Sequence, residues 1–203
     1  FFKQKTAYEI GTGDWSSDVC SSDLMRVITG ISRGRKLETL PGEDVTRPTT
    51  ESVKEAVFSM IQFEIEDKNV LDLFAGSGQL GIEALSRGAK KCTFVENNKQ
   101  AYNVIENNIK HCKLEQNARI VMSDACAFLS RRDSFDIAFL DPPYKQGIIE
   151  KCLPLLFPMM SDDGIVICET SRDEDLPDEL DGFYADRVRT YGKTKITLYR
   201  RGN

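Results

Sequence analysis

The sequence predicts a doubly wound α/β domain, a mostly parallel sheet with helices on both faces that finishes in an antiparallel hairpin. Three observations predict it. Between residues 69 and 169, short apolar runs alternate with segments of helical spacing. The apolar runs lack polar alternation, as strands buried on both faces do. The alternation then gives way to two β-prone runs, 183–190 and 195–199, joined by a turn at Tyr191-Gly192.

The elements follow in order. Residues 51–61 form a helix, with Val53, Ala56, Val57, Met60 and Ile61 on one face. Residues 69–74 read as the first strand. The helix over 80–87 is stopped by Gly88. A strand at 92–95, a helix at 99–110 and a strand at 119–122 come next. A short helix at 125–131, a strand at 135–140, a helix at 148–156 and a strand at 164–169 complete the alternation. With the hairpin the count is seven strands. Ligands of such a sheet sit at the carboxyl ends of the strands.

Residues 1–24 are expected to be foreign to the fold. Asp14 to Leu24 back-translates to a sequencing-adapter string, and Phe1 to Ile10 fits the adapter's outer part. Met25 reads as the native start, so Trp15 and Cys20 leave the functional argument. Residues 25–50 are read as a basic N-terminal extension and 51–203 as the catalytic domain.

The chain carries 27 Lys and Arg against 32 Asp and Glu, a formal charge of −5. Such a balance argues against non-specific coating of nucleic acid. The charge is uneven, however. Arg26, Arg33, Arg35 and Lys36 occur in a stretch without acids, and so do Arg187, Arg189, Lys193, Lys195, Arg200 and Arg201. Basic ends around an acidic middle suggest a local phosphate-binding face. Past residue 24 the five cysteines are scattered and form no C-x-x-C, which fits a reducing cytosol and no zinc site. His111 has no partner at metal-ligand or triad spacing. No apolar run approaches the ~20 residues of a membrane span. A cytoplasmic protein without metal is expected.

Four features fall at the ends of consecutive strands. The first is Asp72-Leu73-Phe74-Ala75-Gly76-Ser77-Gly78, whose glycines permit a tight turn and close approach to a ligand. The second is Glu96, whose carboxylate suits two ribose hydroxyls. The third is Asp124, an acceptor placed for the amino group of adenine. The fourth is Asp141-Pro142-Pro143-Tyr144. Gly76-x-Gly78-x-x-Gly81 also matches the dinucleotide fingerprint, which keeps a nicotinamide or flavin enzyme as the alternative. That site places a pyrophosphate at the helix N-terminus, where Asp72 would repel it. The same carboxylate suits the cationic amino end of S-adenosylmethionine.

The Asp-Pro-Pro-Tyr motif carries the chemistry. Two prolines fix the backbone and remove two N–H donors, leaving carbonyl oxygens and the Asp141 carboxylate as acceptors. An exocyclic amine on a nucleobase is a donor and a weak nucleophile, because its lone pair is delocalised. Acceptors that grip its hydrogens aim that lone pair at a methyl sulfonium, and Tyr144 can stack on the base. Positioning and electrostatics then do most of the catalysis. A base in a paired or stacked RNA must swing out to reach such a pocket.

Arg26-x-Ile28-x-Gly30-x-x-Arg33-Gly34-Arg35-Lys36-Leu37, Arg47-Pro48-Thr49-Thr50, the glycine loop and Asp141-Pro142-Pro143-Tyr144 together resemble the bacterial RsmD family of 16S rRNA guanine-N2 methyltransferases. The resemblance runs from about Met25 to Arg200. It implies a Rossmann-like seven-stranded methyltransferase sheet, S-adenosyl-L-methionine as donor, and a guanine of 16S rRNA in the assembling small ribosomal subunit as acceptor. It implies that Asp72, Phe74, Gly76 and Gly78 meet the methionine end, Glu96 the ribose and Asp124 the adenine, with Thr49 and Thr50 nearby. Asp141, Pro142, Pro143 and Tyr144 would meet the target base. Arg26, Arg33, Arg35, Lys36 and Arg47 would contact RNA. A monomer is expected. Methylation of adenine N6 or cytosine N4 in DNA, and a non-catalytic RNA-binding role in assembly, remain the alternatives.

Overall fold

The computed structural model describes residues 25–40 and 51–202. The leader and the expectations for Arg47, Thr49 and Thr50 lie outside the described residues. Eight strands form one sheet: β1 Asn69–Asp72, β2 Lys91–Glu96, β3 Ala118–Met122, β4 Phe135–Leu140, β5 Met160–Ser171, β6 Glu179–Leu180, β7 Phe183–Tyr191 and β8 Thr194–Arg201. Their order is β3-β2-β1-β4-β5-β8-β7-β6. The first five are parallel, and the last three join antiparallel.

Among the described residues, five α-helices cover the sheet: α1 Glu51–Met60, α2 Gln79–Ser86, α3 Lys99–Cys112, α4 Ala125–Leu129 and α5 Ile148–Leu156. Alternate residues of each strand feed opposite faces. Val70, Phe94, Ile137, Phe139, Ile165 and Ile167 pack with α1, α2 and α3. Leu71, Val95, Ala138, Leu140, Val166 and Cys168 pack with α4 and α5. This period of two makes a layer on each side of one sheet.

Two details depart from the seven-strand expectation. The eighth strand, β6, has two residues, too few to carry a pattern. β5 spans 12 residues, beginning well before Gly164. The hairpin itself is present, but its second strand enters the sheet beside β5. Burial explains the order: Thr194 to Tyr199 are all buried, whereas Arg187 to Thr190 are exposed. β8 can be covered on both faces and takes the inner place. The outer β7 keeps its charges in water, as an edge region should.

The connection after β1 leads to β2 on one side, and that after β4 leads to β5 on the other. The sheet therefore opens a crevice between the carboxyl ends of β1 and β4, where α/β sheets bind ligands. Asp72 ends β1, and Asp141 directly follows β4.

Candidate active site

The glycine loop is shaped by backbone geometry. Gly78 adopts φ of 80° as the N-cap of α2 and donates to the Ala75 carbonyl at 2.6 Å. That left-handed conformation strains any residue with a Cβ. Gly81 has a different reason to be small. A Cβ there would lie 2.3 Å from the Phe94 ring and 2.7 Å from Cys92 Sγ, so this glycine lets α2 sit directly on β2.

Asp72 turns back under the loop, where its Oδ2 accepts the Gly81 N–H at 2.9 Å. The carboxylate thus serves the N-terminal turn of α2, where a dinucleotide's pyrophosphate would have to sit. It is 3% exposed. Burial pushes its pKa up to about 7; the negative charge of Glu96 adds to the rise and the Gly81 N–H opposes it.

Glu96 shapes the adjoining wall. Its Oε2 accepts Gly76 N–H at 2.9 Å, and its Oε1 accepts Asn97 and Asn98 N–H at 2.9 and 2.8 Å. One carboxylate therefore ties the glycine loop to the end of β2. Three bonds leave about one of its four acceptor sites for a ligand hydroxyl. Asn98 caps α3 through Gln100 and Ala101 N–H. Asp124 is exposed and caps α4, accepting Ala127 N–H at 3.1 Å. Phe74 is half-buried against the α4–α5 side of the sheet.

The Asp-Pro-Pro-Tyr loop is held from two sides. The Tyr144 hydroxyl donates to Glu169 Oε1 at 2.6 Å and lies 3.3 Å from the Thr194 hydroxyl. Burial raises the Tyr144 pKa above its ordinary value, and the neighbouring Glu169 raises it further. Lys145 takes φ of 60°, a rare conformation for a side-chain-bearing residue. Its N–H donates to Glu174 Oε1 at 2.8 Å, and Glu174 Oε2 accepts Ser171 N–H at 3.0 Å. Glu174 so clamps the loop to the end of β5. A small, partly open depression lies beside it, lined in part by Pro142, Tyr144, Ile148, Glu169, Thr170 and Leu176. Asp141 is half-buried and Pro143 exposed.

The two basic segments take different places. The turn between β7 and β8 sits against the end of β5, where the Lys193 carbonyl accepts Arg172 N–H at 2.8 Å. The N-terminal segment folds back on itself, with Arg26 bridging Lys36 and Val27 and Leu37 in the core. Its ends reach the glycine loop: Met25 meets the Ser77 hydroxyl, and Asn108 joins Glu38 to the Ser77 carbonyl. Its tip does not reach the site. Ser32 docks on Ser86 and Cys112, and Arg35 donates to the His111 carbonyl, at the far ends of α2 and α3. Arg33 and Lys36 point to solvent, while Arg26 pairs with Glu51 at 2.8 Å.

Sequence reasoning missed the anchors. Glu83 is fully buried on α2, accepts Ile28 and Thr29 N–H at 2.7 and 3.0 Å, and pairs with Arg87 at 2.7 Å and Lys54 at 3.7 Å. Burial lowers the Lys54 pKa, and Glu83 and Glu51 oppose that shift. An acid within the apolar run Leu80 to Leu85 was the available signal. Glu169 escaped too, although it is an acid near a strand's carboxyl end, like Glu96. Among the described residues, no group of His, Cys, Asp and Glu could hold a metal, and no helix is long and apolar enough to cross a membrane.

A family model described as Conserved hypothetical protein 95 matches residues 25–200. Ribosomal RNA small subunit methyltransferase D of Escherichia coli is 35% identical over 183 residues, covering 89% of this chain and 91% of its own. The chain belongs to the RsmD family of methyltransferases. YlbH of Bacillus subtilis, 39% identical over 183 residues, covers 87% of this chain and 99% of its own. The solved structure of yhhF from Escherichia coli superposes with a TM-score of 0.77 at 35% identity, covering 88% of this chain and 98% of that one. This family member thus shares the Rossmann-like methyltransferase fold, and its motifs occupy the crevice that the topology creates.

Proposed function

We propose that this RsmD family member transfers a methyl group from S-adenosyl-L-methionine to the exocyclic N2 amine of a guanine in 16S rRNA, in the cytoplasm, during small-subunit assembly. The observation that carries the reading is the Asp141-Pro142-Pro143-Tyr144 loop, clamped by Glu169 and Glu174 at the mouth of the β1–β4 crevice. Relatives named as ribosomal RNA small subunit methyltransferases support the substrate class.

The residues fit that donor. A Cβ built at Gly76 meets nothing within 4 Å, so the loop borders open space. Asp72 faces α2 from below that loop, and Glu96 and Asp124 offer acceptors at the ends of β2 and β3. When bound, the donor supplies an electrophilic methyl on a sulfonium. In this reading Asp72, Phe74, Gly76 and Gly78 hold the methionine end, Glu96 the ribose and Asp124 the adenine, with Thr49 and Thr50 close by.

The protein's remaining work is to orient the nucleophile. Asp141 and the Pro142 carbonyl accept the two amine hydrogens, and Pro143 stiffens the loop so that both acceptors stay aimed. Tyr144, its hydroxyl tied down, offers its ring for stacking. Transfer would form the N–C bond as the methyl C–S bond breaks to leave a neutral thioether, and the excess proton on the amine would pass to Asp141. Arg26, Arg33, Arg35 and Lys36 of the N-terminal segment, together with Arg47 and with Lys193 in the β7–β8 turn, would hold phosphates of the RNA.

Replacing Asp141 with Ala tests the role. Methyl transfer should fall at least ~100-fold, the scale of losing one preorganised polar contact, while adenosylmethionine affinity stays within about threefold of the wild type. Unchanged turnover would refute the assignment.

A further inference from the structure

We propose that Glu169 determines base specificity by accepting the N1–H of the target guanine; this inference rests on the guanine-N2 reading above. Glu169 sits near the carboxyl end of β5, is almost fully buried, and lines the pocket beside Pro142. Its Oε1 lies 2.6 Å from the Tyr144 hydroxyl, the ring that would stack on the base. The other walls include Ile148 and Leu176, with Thr170, Glu150 and Glu174. A flat base stacked on Tyr144 at the mouth of this depression would present its polar edge to the Glu169 carboxylate. When ionised, a carboxylate offers only acceptor sites, about four of them, so one that already takes the Tyr144 hydroxyl can also take an N–H from the base.

The chemistry of the bases then decides. In guanine, the exocyclic amine is flanked by N1–H, a donor on the same edge. In adenine the neighbour of the amine is N1, and in cytosine it is N3, both acceptors. An Asp-Pro-Pro-Tyr loop that grips an amine is indifferent among the three. A carboxylate beside that grip is not: it forms a charge-assisted hydrogen bond with guanine and faces a lone pair on the other two. Glu169 is a specificity-determining residue, whereas Glu174, whose oxygens accept Lys145 and Ser171 N–H, only holds the loop.

The test uses 2-aminopurine, which keeps the 2-amino group but has a lone pair at N1. The methylated guanine is first mapped with the wild-type enzyme on 16S rRNA, assembled with small-subunit proteins where transfer requires them. The same RNA is then made with 2-aminopurine at that position. The wild type should prefer guanine by about 10- to 100-fold in kcat/KM, the worth of one hydrogen bond to a charged group. Glu169→Gln should lose most of its activity on guanine and little on 2-aminopurine, shrinking the ratio at least ~10-fold. Tyr144→Phe, which removes the hydroxyl and leaves the carboxylate, should weaken both substrates alike. Equal use of the two bases by the wild type overturns the assignment, whether or not the variants fold. So does a Glu169→Gln variant that loses activity on both equally, since that is the mark of a residue acting only through Tyr144. Failure of the wild type to methylate any guanine overturns the underlying reading instead.

Discussion

Asp72 carries two demands at once. Its carboxylate caps α2 through Gly81, and its burial favours the protonated form, with a pKa of about 7. A folded-state pKa raised above the unfolded value means that the native state binds the extra proton. The associated stability is complete below about pH 4 and is lost as pH rises through about 7. The ligand-free protein should therefore lose stability across that window, and Asp72→Asn, which keeps an acceptor for Gly81, should lose less. Thermal melts from pH 4 to 8 measure it; parallel curves for the two proteins would contradict the account. The same physics suits a cationic ligand, which would favour the ionised form. Gly81 is the neighbouring residue-scale test. Gly81→Ala forces a Cβ against the Phe94 ring and should cost about 1–3 kcal/mol in urea unfolding.

Among the elements, α2 organises the most. Its N-terminus meets Asp72 and the glycine loop, and its middle buries Glu83 against the N-terminal segment. A buried acid with two cationic partners and two backbone donors is costly to break, because removing it leaves those partners buried and uncompensated. Glu83→Ala should destabilise the protein by about 3–5 kcal/mol and release the 25–40 segment, seen as faster amide exchange at Ile28 and Thr29. Normal protection there would show that Glu83 does not anchor the segment. Asn108 extends the same logic, joining Glu38 to the Ser77 carbonyl. The N-terminal segment therefore braces the glycine loop as well as carrying charge. Its arginine-bearing tip lies at the far ends of α2 and α3, so RNA held there would run along that face away from the pocket.

At the scale of the molecule, the fold was legible because its signals are local. Apolar runs such as Val70 to Leu73 and Ile137 to Leu140 announce buried strands, and strand ends locate the crevice without side-chain detail. What the pattern could not carry was tertiary pairing. β6 is too short for a period, and β8's place beside β5 depends on burial of both its faces. Glu83, Glu169 and Glu174 read as ordinary acids in sequence because the groups they hold in place, Ile28, Tyr144 and Lys145, lie 55, 25 and 29 residues away. The motif residues were readable because their chemistry is unusual in sequence; the groups that position them were not. The atom that receives the methyl group decides the function. Transfer from methyl-labelled adenosylmethionine to assembled small subunits, naked 16S rRNA and DNA, followed by digestion to nucleosides, tests it most directly. The label should be recovered as N2-methylguanosine from the rRNA. Label recovered only from DNA, or in the rRNA only as methylated adenosine or cytidine, would contradict it.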